Sequence, residues 1–150
     1  MKKVLILYVS VHHGNTRQVV EHLAEQEGVT AVDLLDKPLP DLTGYELIGF
    51  ASGVYFQKLH QRLRKAVGEA AFGPGQQVFF LYTCGVPFGD CAKDLKGVLA
   101  EKGVPWAGTF RCRGYDTYGP WGKLGGIAKG RPNGKDLDRA AAFLRGLRQG

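Results

Sequence analysis

A chain of 150 residues fits one globular domain over 1–150, since a domain usually takes roughly 100–200 residues, and 44% hydrophobic with 23% charged residues excludes disorder. The longest uncharged run, Ala70 to Gly89, is broken at Gly73-Pro74-Gly75 and leaves Val78 to Cys84, far short of the roughly 20 residues of a membrane span. The formal charge of +6 lies wholly in the second half: residues 1–75 hold 8 Lys+Arg and 8 Asp+Glu, residues 76–150 hold 12 and 6, which is either a solvated basic face or a surface for an acidic partner.

Val4–Val9 is a continuous apolar run, the pattern of a strand buried on both faces. A helix is predicted from about Thr16 to Glu27, with Val19, Val20, Leu23 and Ala24 on one face and Gly28 as its stop. Val29–Leu35 is a second strand closed by Pro38-Leu39-Pro40, and Leu47–Ala51 a third. The helix after it carries Leu59, Leu63, Ala66 and Val67. Val78–Tyr82 is the fourth strand, and the next helix aligns Ala92, Leu95, Val98 and Leu99 before Gly103 and Pro105. In the fifth strand, Thr109–Tyr115, Arg111 and Arg113 alternate with Phe110 and Cys112, which predicts an edge position with one exposed face. The last helix, about Lys135 to Leu147, stacks Leu137, Ala140, Ala141 and Leu144. Strands alternating with helices imply βαβ units and a parallel sheet covered on both faces. Ligands of such sheets bind beyond the carboxyl ends of the strands, at the switch point.

Three loops follow strands there. Ser10-Val11-His12-His13-Gly14-Asn15-Thr16 places hydroxyls, an amide and a glycine at a helix start, where backbone N–H groups and the helix dipole favour an anion. An ordinary N-cap by Asn15 or Thr16 is the competing reading, and the position directly after the first strand favours the anion. Ser52-Gly53-Val54-Tyr55-Phe56 and Thr83-Cys84-Gly85-Val86-Pro87-Phe88-Gly89 combine small residues with apolar or aromatic ones. That combination suits a flat heteroaromatic ring, or else Phe56 and Phe88 return to the core. The spacing matches neither a Walker phosphate loop nor a Gly-x-Gly-x-x-Gly dinucleotide loop. Nor does a Gly-x-Ser-x-Gly elbow surround Ser10 or Ser52. His22 and His60 stand outside any metal-ligand pattern and are expected as surface histidines on helices. Cys84, Cys91 and Cys112 lack Cys-x-x-Cys spacing and predict partly buried thiols in a reducing, cytoplasmic setting.

Val4–Val9 followed by Ser10-x-x-x-Gly14-Asn15-Thr16, and then Phe50-Ala51-Ser52-Gly53-Val54-Tyr55-Phe56, resembles the flavodoxin family. The resemblance continues through Gly114-Tyr115-Asp116-Thr117-Tyr118-Gly119-Pro120 and Lys129-Gly130-Arg131-Pro132-Asn133. It implies a three-layer α/β/α sandwich with a five-stranded parallel sheet in the order 2-1-3-4-5, and FMN at the switch point. The implied cofactor-binding residues are Ser10, Val11, His12, His13, Gly14, Asn15 and Thr16 at the phosphate, with Ser52, Gly53, Val54, Tyr55, Phe56, Thr83, Cys84 and Gly85 around the ring. By the same analogy the peptide at Ser52-Gly53 flips to hydrogen-bond the reduced ring, a movement that glycine permits.

The chain departs from the family pattern in three ways. Typical flavodoxins have Thr-x-Thr before Gly-Asn-Thr, whereas Val11-His12-His13 stands here and offers imidazoles in place of hydroxyls. Tyr55 rather than a tryptophan is the expected stacking residue. Typical flavodoxins are also acidic, so this basic chain is expected to dock on redox partners with acidic surfaces. An electron carrier is the leading functional reading. A stand-alone NAD(P)H-dependent quinone or nitro reductase is the alternative, and a non-redox binding module the third. No aromatic-interleaved basic motif points to nucleic acid, and no segment points to a membrane. The 114–121 segment is expected as a lid or partner surface, or as local packing on the sheet edge.

Overall fold

The computed structural model describes residues 1–11, 13–115 and 126–149. Strand β1 (Val4–Val9) pairs in parallel with β2 (Val29–Asp33) and β3 (Leu47–Tyr55), so that Leu7 lies between Val32 and Phe50. Two residues of β4 (Lys58–Leu59) fold back antiparallel on the end of β3. β5 (Gln77–Cys84) continues the sheet in parallel beside β3, and β6 (Trp106–Arg113) lies beside β5. The resulting order, β2-β1-β3-β5-β6, is the expected 2-1-3-4-5 with the short β4 inserted in the count.

Alternation along the strands divides the apolar runs between two cores, because successive side chains of a strand point to opposite faces. Leu5, Leu7, Ile48, Phe50, Val78 and Phe80 meet Leu63, Ala66 and Val67 of α2 (Gln61–Glu69) and Leu95 and Leu99 of α3 (Lys93–Lys102). Val4, Ile6, Ala51, Phe79 and Leu81 face the other way, onto Val19, Val20 and Leu23 of α1 (Asn15–Leu23) and Ala140, Ala141 and Leu144 of α4 (Gly134–Gln149). The edge strand β6 behaves as its alternation predicts: Phe110 and Cys112 are buried, Arg111 is exposed and Arg113 half-buried.

Helix ends follow their capping chemistry. Gly103 closes α3 in the left-handed region at φ 70°, and Val104 N–H reaches back to Leu99 O at 2.9 Å. At α4, Asn133 Oδ1 accepts from Asp136 N–H at 3.1 Å while Asp136 Oδ2 accepts from Asn133 N–H at 2.8 Å, a reciprocal capping box. The first helix ends at Leu23, short of the expected Glu27, because Glu25 and Gln26 bond three residues back and tighten the chain toward Gly28.

Two boundaries differ more. The third strand was expected to stop at Ala51 and the fourth at Tyr82, yet pairing carries them to Tyr55 and Cys84, with Gly53 opposite Thr83. Leu59, expected on a helix, lies in β4 opposite Val54, and α2 starts two residues later. His60 is the N-cap of α2: its Nδ1 accepts from Arg62 N–H at 3.0 Å, and burial lowers its pKa, which favours the neutral acceptor.

Candidate functional site

Parallel pairing brings the carboxyl ends of four strands to one edge of the sheet. Val9 lies opposite Ser52, Gly53 opposite Thr83, and Cys84 opposite Arg113. A cavity of about 330 Å³ opens above this row, within the size range of small-molecule sites.

Its first wall is the loop from β1 into α1. Gly14 is the N-cap, at φ 66° and ψ 21°, and offers no side-chain cap. Ser10 Oγ accepts from Arg17 N–H at 3.1 Å and keeps its own O–H to donate. The first turn of α1 carries no acidic residue, so its positive dipole end is not neutralised from within the helix. Thr16 is buried, and its Oγ1 lies 2.9 Å from Thr83 Oγ1, which ties this loop to the end of β5.

The second wall is a hairpin rather than the loop expected from sequence. Tyr55 pairs with Lys58, leaving Phe56 and Gln57 as a two-residue turn at φ 52° and φ 66°. Such turns usually take Asn-Gly or Gly-Gly, so a phenylalanine here is held in a disfavoured region, a strain that tends to concentrate at functional sites. Phe56, at the tip of this turn, is 85% accessible, and Phe88 in the loop after β5 is 71% accessible, so neither returns to the core. Tyr55 packs its ring edge-on against His60 at 5.1 Å, and burial raises its phenol pKa. Gly53, the residue of the implied peptide flip, lies in β3 and outside the left-handed region.

The third wall, after β5, is stapled from the edge strand. Arg113 Nε donates to Gly85 O at 2.9 Å and Arg111 Nη1 to Gly89 O at 2.7 Å. Part of the basic excess therefore serves structure. Arg148 does so too, buried with donors to Lys2 O and Glu27 O.

Of the residues expected around a cofactor, Ser10, Val11, Asn15, Thr16, Gly53, Val54, Tyr55, Phe56, Thr83, Cys84 and Gly85 line the cavity. His13 and Gly14 belong to the first loop but not to the lining, and His12 lies outside the described residues. Ser52 sits behind the wall. Fully buried, it donates to Gly53 O at 2.7 Å and accepts from His60 N–H at 3.0 Å, pinning the hairpin rather than facing the cavity.

Gln57, Gly114 and Tyr115 line the cavity without having been expected there, and so does Val86, which belongs to the third loop but not to the implied cofactor-binding residues. Gly114 and Tyr115 were expected inside the edge strand, which ends at Arg113 instead and leaves them at the same sheet edge as the three loops. Residues 116–121 of the 114–121 segment lie outside the described residues.

All three cysteines are buried thiols. Burial, with Asp136 nearby, pushes Cys112 up to about 12, and burial also raises Cys91, so neither is an activated nucleophile. Among the described residues no cluster of histidine, cysteine or carboxylate side chains has the arrangement to hold a metal, and none of the described residues lining the cavity is Asp or Glu. Apolar walls at Val54, Tyr55 and Val86, with helix N–H groups and hydroxyls at the other end, suit an elongated ligand with a flat ring and an anionic tail. No helix among the described residues is long and apolar enough to cross a membrane.

Comparison with known proteins agrees with this fold. Residues 5–80 match the family model described as the flavodoxin domain. An uncharacterized protein of Methanocaldococcus jannaschii is 36% identical over 148 residues, 97% of each chain. Among solved structures, oxidised flavodoxin 2 of Bacillus cereus superimposes with a TM-score of 0.69 at 14% identity, covering 98% of both chains. Rubredoxin oxygen:oxidoreductase of Desulfovibrio gigas superimposes at 0.70 and 14% identity, over 99% of this chain and 37% of that one. With a family model matched over half its length and a relative of this identity spanning nearly all of it, the chain belongs to the flavodoxin domain family.

Proposed function

We propose that the chain binds FMN in this cavity and carries electrons between redox partner proteins in the cytoplasm. The observation that carries the reading is the meeting, in one cavity, of an α1 N-terminus that is not capped by Gly14 and a slot walled by Val54, Tyr55 and Val86. Ser10, Asn15, Thr16 and the backbone around Gly14 would hold the phosphate, with His13 in the same loop. Tyr55 would stack on the ring while Gly53 and Gly85 bring backbone groups to its polar edge. Bound there, the flavin supplies one- and two-electron chemistry; the protein binds it, orients it and shields one face from water.

The test is an absorbance spectrum of purified protein before and after addition of FMN, followed by stepwise reduction with dithionite. A bound-flavin spectrum, reduced in two resolvable one-electron steps, is expected. Protein that cannot be loaded would remove the proposal. Repeated turnover with NADH alone, needing no second protein, would replace the carrier with a reductase.

The partners we propose carry acidic surfaces. Arg111 and Arg113 stand beside the third wall, bonded to Gly89 O and Gly85 O, and Phe56 of the hairpin and Phe88 of the third loop are exposed. Electron transfer from a reduced acidic ferredoxin should slow as salt rises from about 0.01 M to about 1 M, where the Debye length shrinks from roughly 30 Å to 3 Å. Stopped-flow rates indifferent to salt would show that docking does not depend on this charge.

A further inference from the structure

Tyr115 belongs to none of the three loops that the sequence marks, yet it lines the cavity and is held from four sides. Its N–H donates to Arg131 O at 2.9 Å, and its carbonyl accepts from Asn15 Nδ2 at 2.8 Å. Its ring stands 4.5 Å, centre to centre, from that of His13. The backbone of Gly126 lies so close beneath the ring that a Cβ there would collide with it. Arg131 is in turn fixed by paired bonds of 2.6 and 2.7 Å to the buried carboxylate of Asp136. Two of the four contacts go to the loop that starts α1, so the residue is tied to the end of the cavity where that helix begins.

From this placement we propose that Tyr115 is a fourth binding element, one that recognises the phosphorylated tail of the flavin and so selects FMN over riboflavin. The inference rests on the reading of the cavity as a flavin site. Its physical content is preorganisation. A residue clamped to α4 that also holds Asn15 and His13 removes conformations from the loop whose N–H groups meet the phosphate, and lowers the cost of ordering them on binding. A flavin without the phosphoryl group makes no use of that end and is indifferent to it.

The experiment is a fluorescence-quenching titration of the full chain with FMN and, separately, with riboflavin. Wild-type protein should bind FMN more tightly than riboflavin. Tyr115→Ala should weaken FMN about tenfold, the scale of one lost aromatic pair, and leave riboflavin within about twofold. Tyr115→Phe, which keeps the ring, should restore the wild-type preference. Should the alanine variant misfold by far-UV circular dichroism, Tyr115→Leu preserves the bulk without the aromatic face and should show the same selective loss. Equal losses for both ligands, or no loss for either, would overturn the assignment while leaving the cavity a flavin site. Wild-type protein that binds neither ligand would overturn the flavin reading and this inference with it.

Discussion

Asp136→Asn is expected to lower the melting temperature by about 5–10 °C at pH 7, the effect of roughly 2–3 kcal/mol in a chain of this size. The carboxylate is 1% exposed and is the hub of a local network. It takes both bonds from Arg131 and the N–H of Asn133, and has Arg139 Nη1 at 3.6 Å. Asparagine preserves the shape and the capping bond but leaves a partly buried guanidinium without its counter-charge. The loss is set below that of a fully buried pair because Arg131 remains 30% exposed.

The same contacts predict the pH dependence. The hydrogen bonds from Arg131, ahead of the opposing cost of burial, hold the Asp136 carboxyl below its ordinary value. A carboxyl whose pKa is depressed on folding adds stability above the unfolded value, near pH 4, and loses it as pH falls through the native value. The gap in melting temperature between wild type and variant should therefore be full at neutral pH and narrow below about pH 4. Thermal melts at the two pH values check this. A variant within about 2 °C of wild type at pH 7 would show that the ion pair contributes little beyond the capping box.

Gly114→Ala is the second large effect, directed at the site rather than at the fold. Gly114 N–H is bonded to Cys84 O at 2.9 Å, which fixes its backbone against β5. A Cβ built there meets Asn15 Nδ2 at 2.6 Å, Cγ at 2.8 Å and Cβ at 3.0 Å. The Nδ2 could swing aside, but Asn15 Cβ is rooted in the first turn of α1, so the methyl group must push the two walls of the cavity apart. Overpacking of this kind costs about 1–3 kcal/mol, and its release opens the Asn15–Tyr115 bond. FMN affinity should fall by roughly 10- to 100-fold. Gly146→Ala is the control, since it lies on α4 with no atom within 4 Å of its Cβ position, and it should bind FMN as wild type does. Unchanged affinity in the Gly114 variant would mean that the cavity does not need these walls in contact.

The basic half of the chain shows how structure refines a charge count. Residues 76–150 carry the entire excess, yet Arg148, Arg131, Arg113 and Arg111 spend donors on carbonyls or on Asp136 within the fold. Arg111 and Arg113 still present charge at the rim while holding the third wall, so they are candidates for both tasks at once.

The parallel sheet and the two-sided burial of β1 and β5 were legible in the residues themselves, because a continuous apolar run of five or six residues has no solvent face to offer and βαβ alternation favours parallel pairing; the strand order was what the flavodoxin resemblance implied. The sheet edge at which the cavity opens followed from the parallel sheet, whose ligands bind beyond the carboxyl ends of the strands. Gly-Asn-Thr after the first strand and small residues after the third and fourth were enough to mark three of its walls. Tertiary structure alone decided the rest. Ser52 and Val54 are two apart in one segment, yet Ser52 is drawn behind the wall by His60 while Val54 faces the cavity. That division depends on a hairpin whose turn, Phe56-Gln57, carries no turn signal in its residue types. Tyr115 enters through tertiary contacts, among them those to Asn15 and Arg131, 100 residues away and 16 residues away along the chain. Local periodicity reports which face of an element is buried, but it holds no information about which distant backbone groups a side chain will meet. Those meetings are set by sheet register and by the packing of loops, and they complete the fourth side of the cavity.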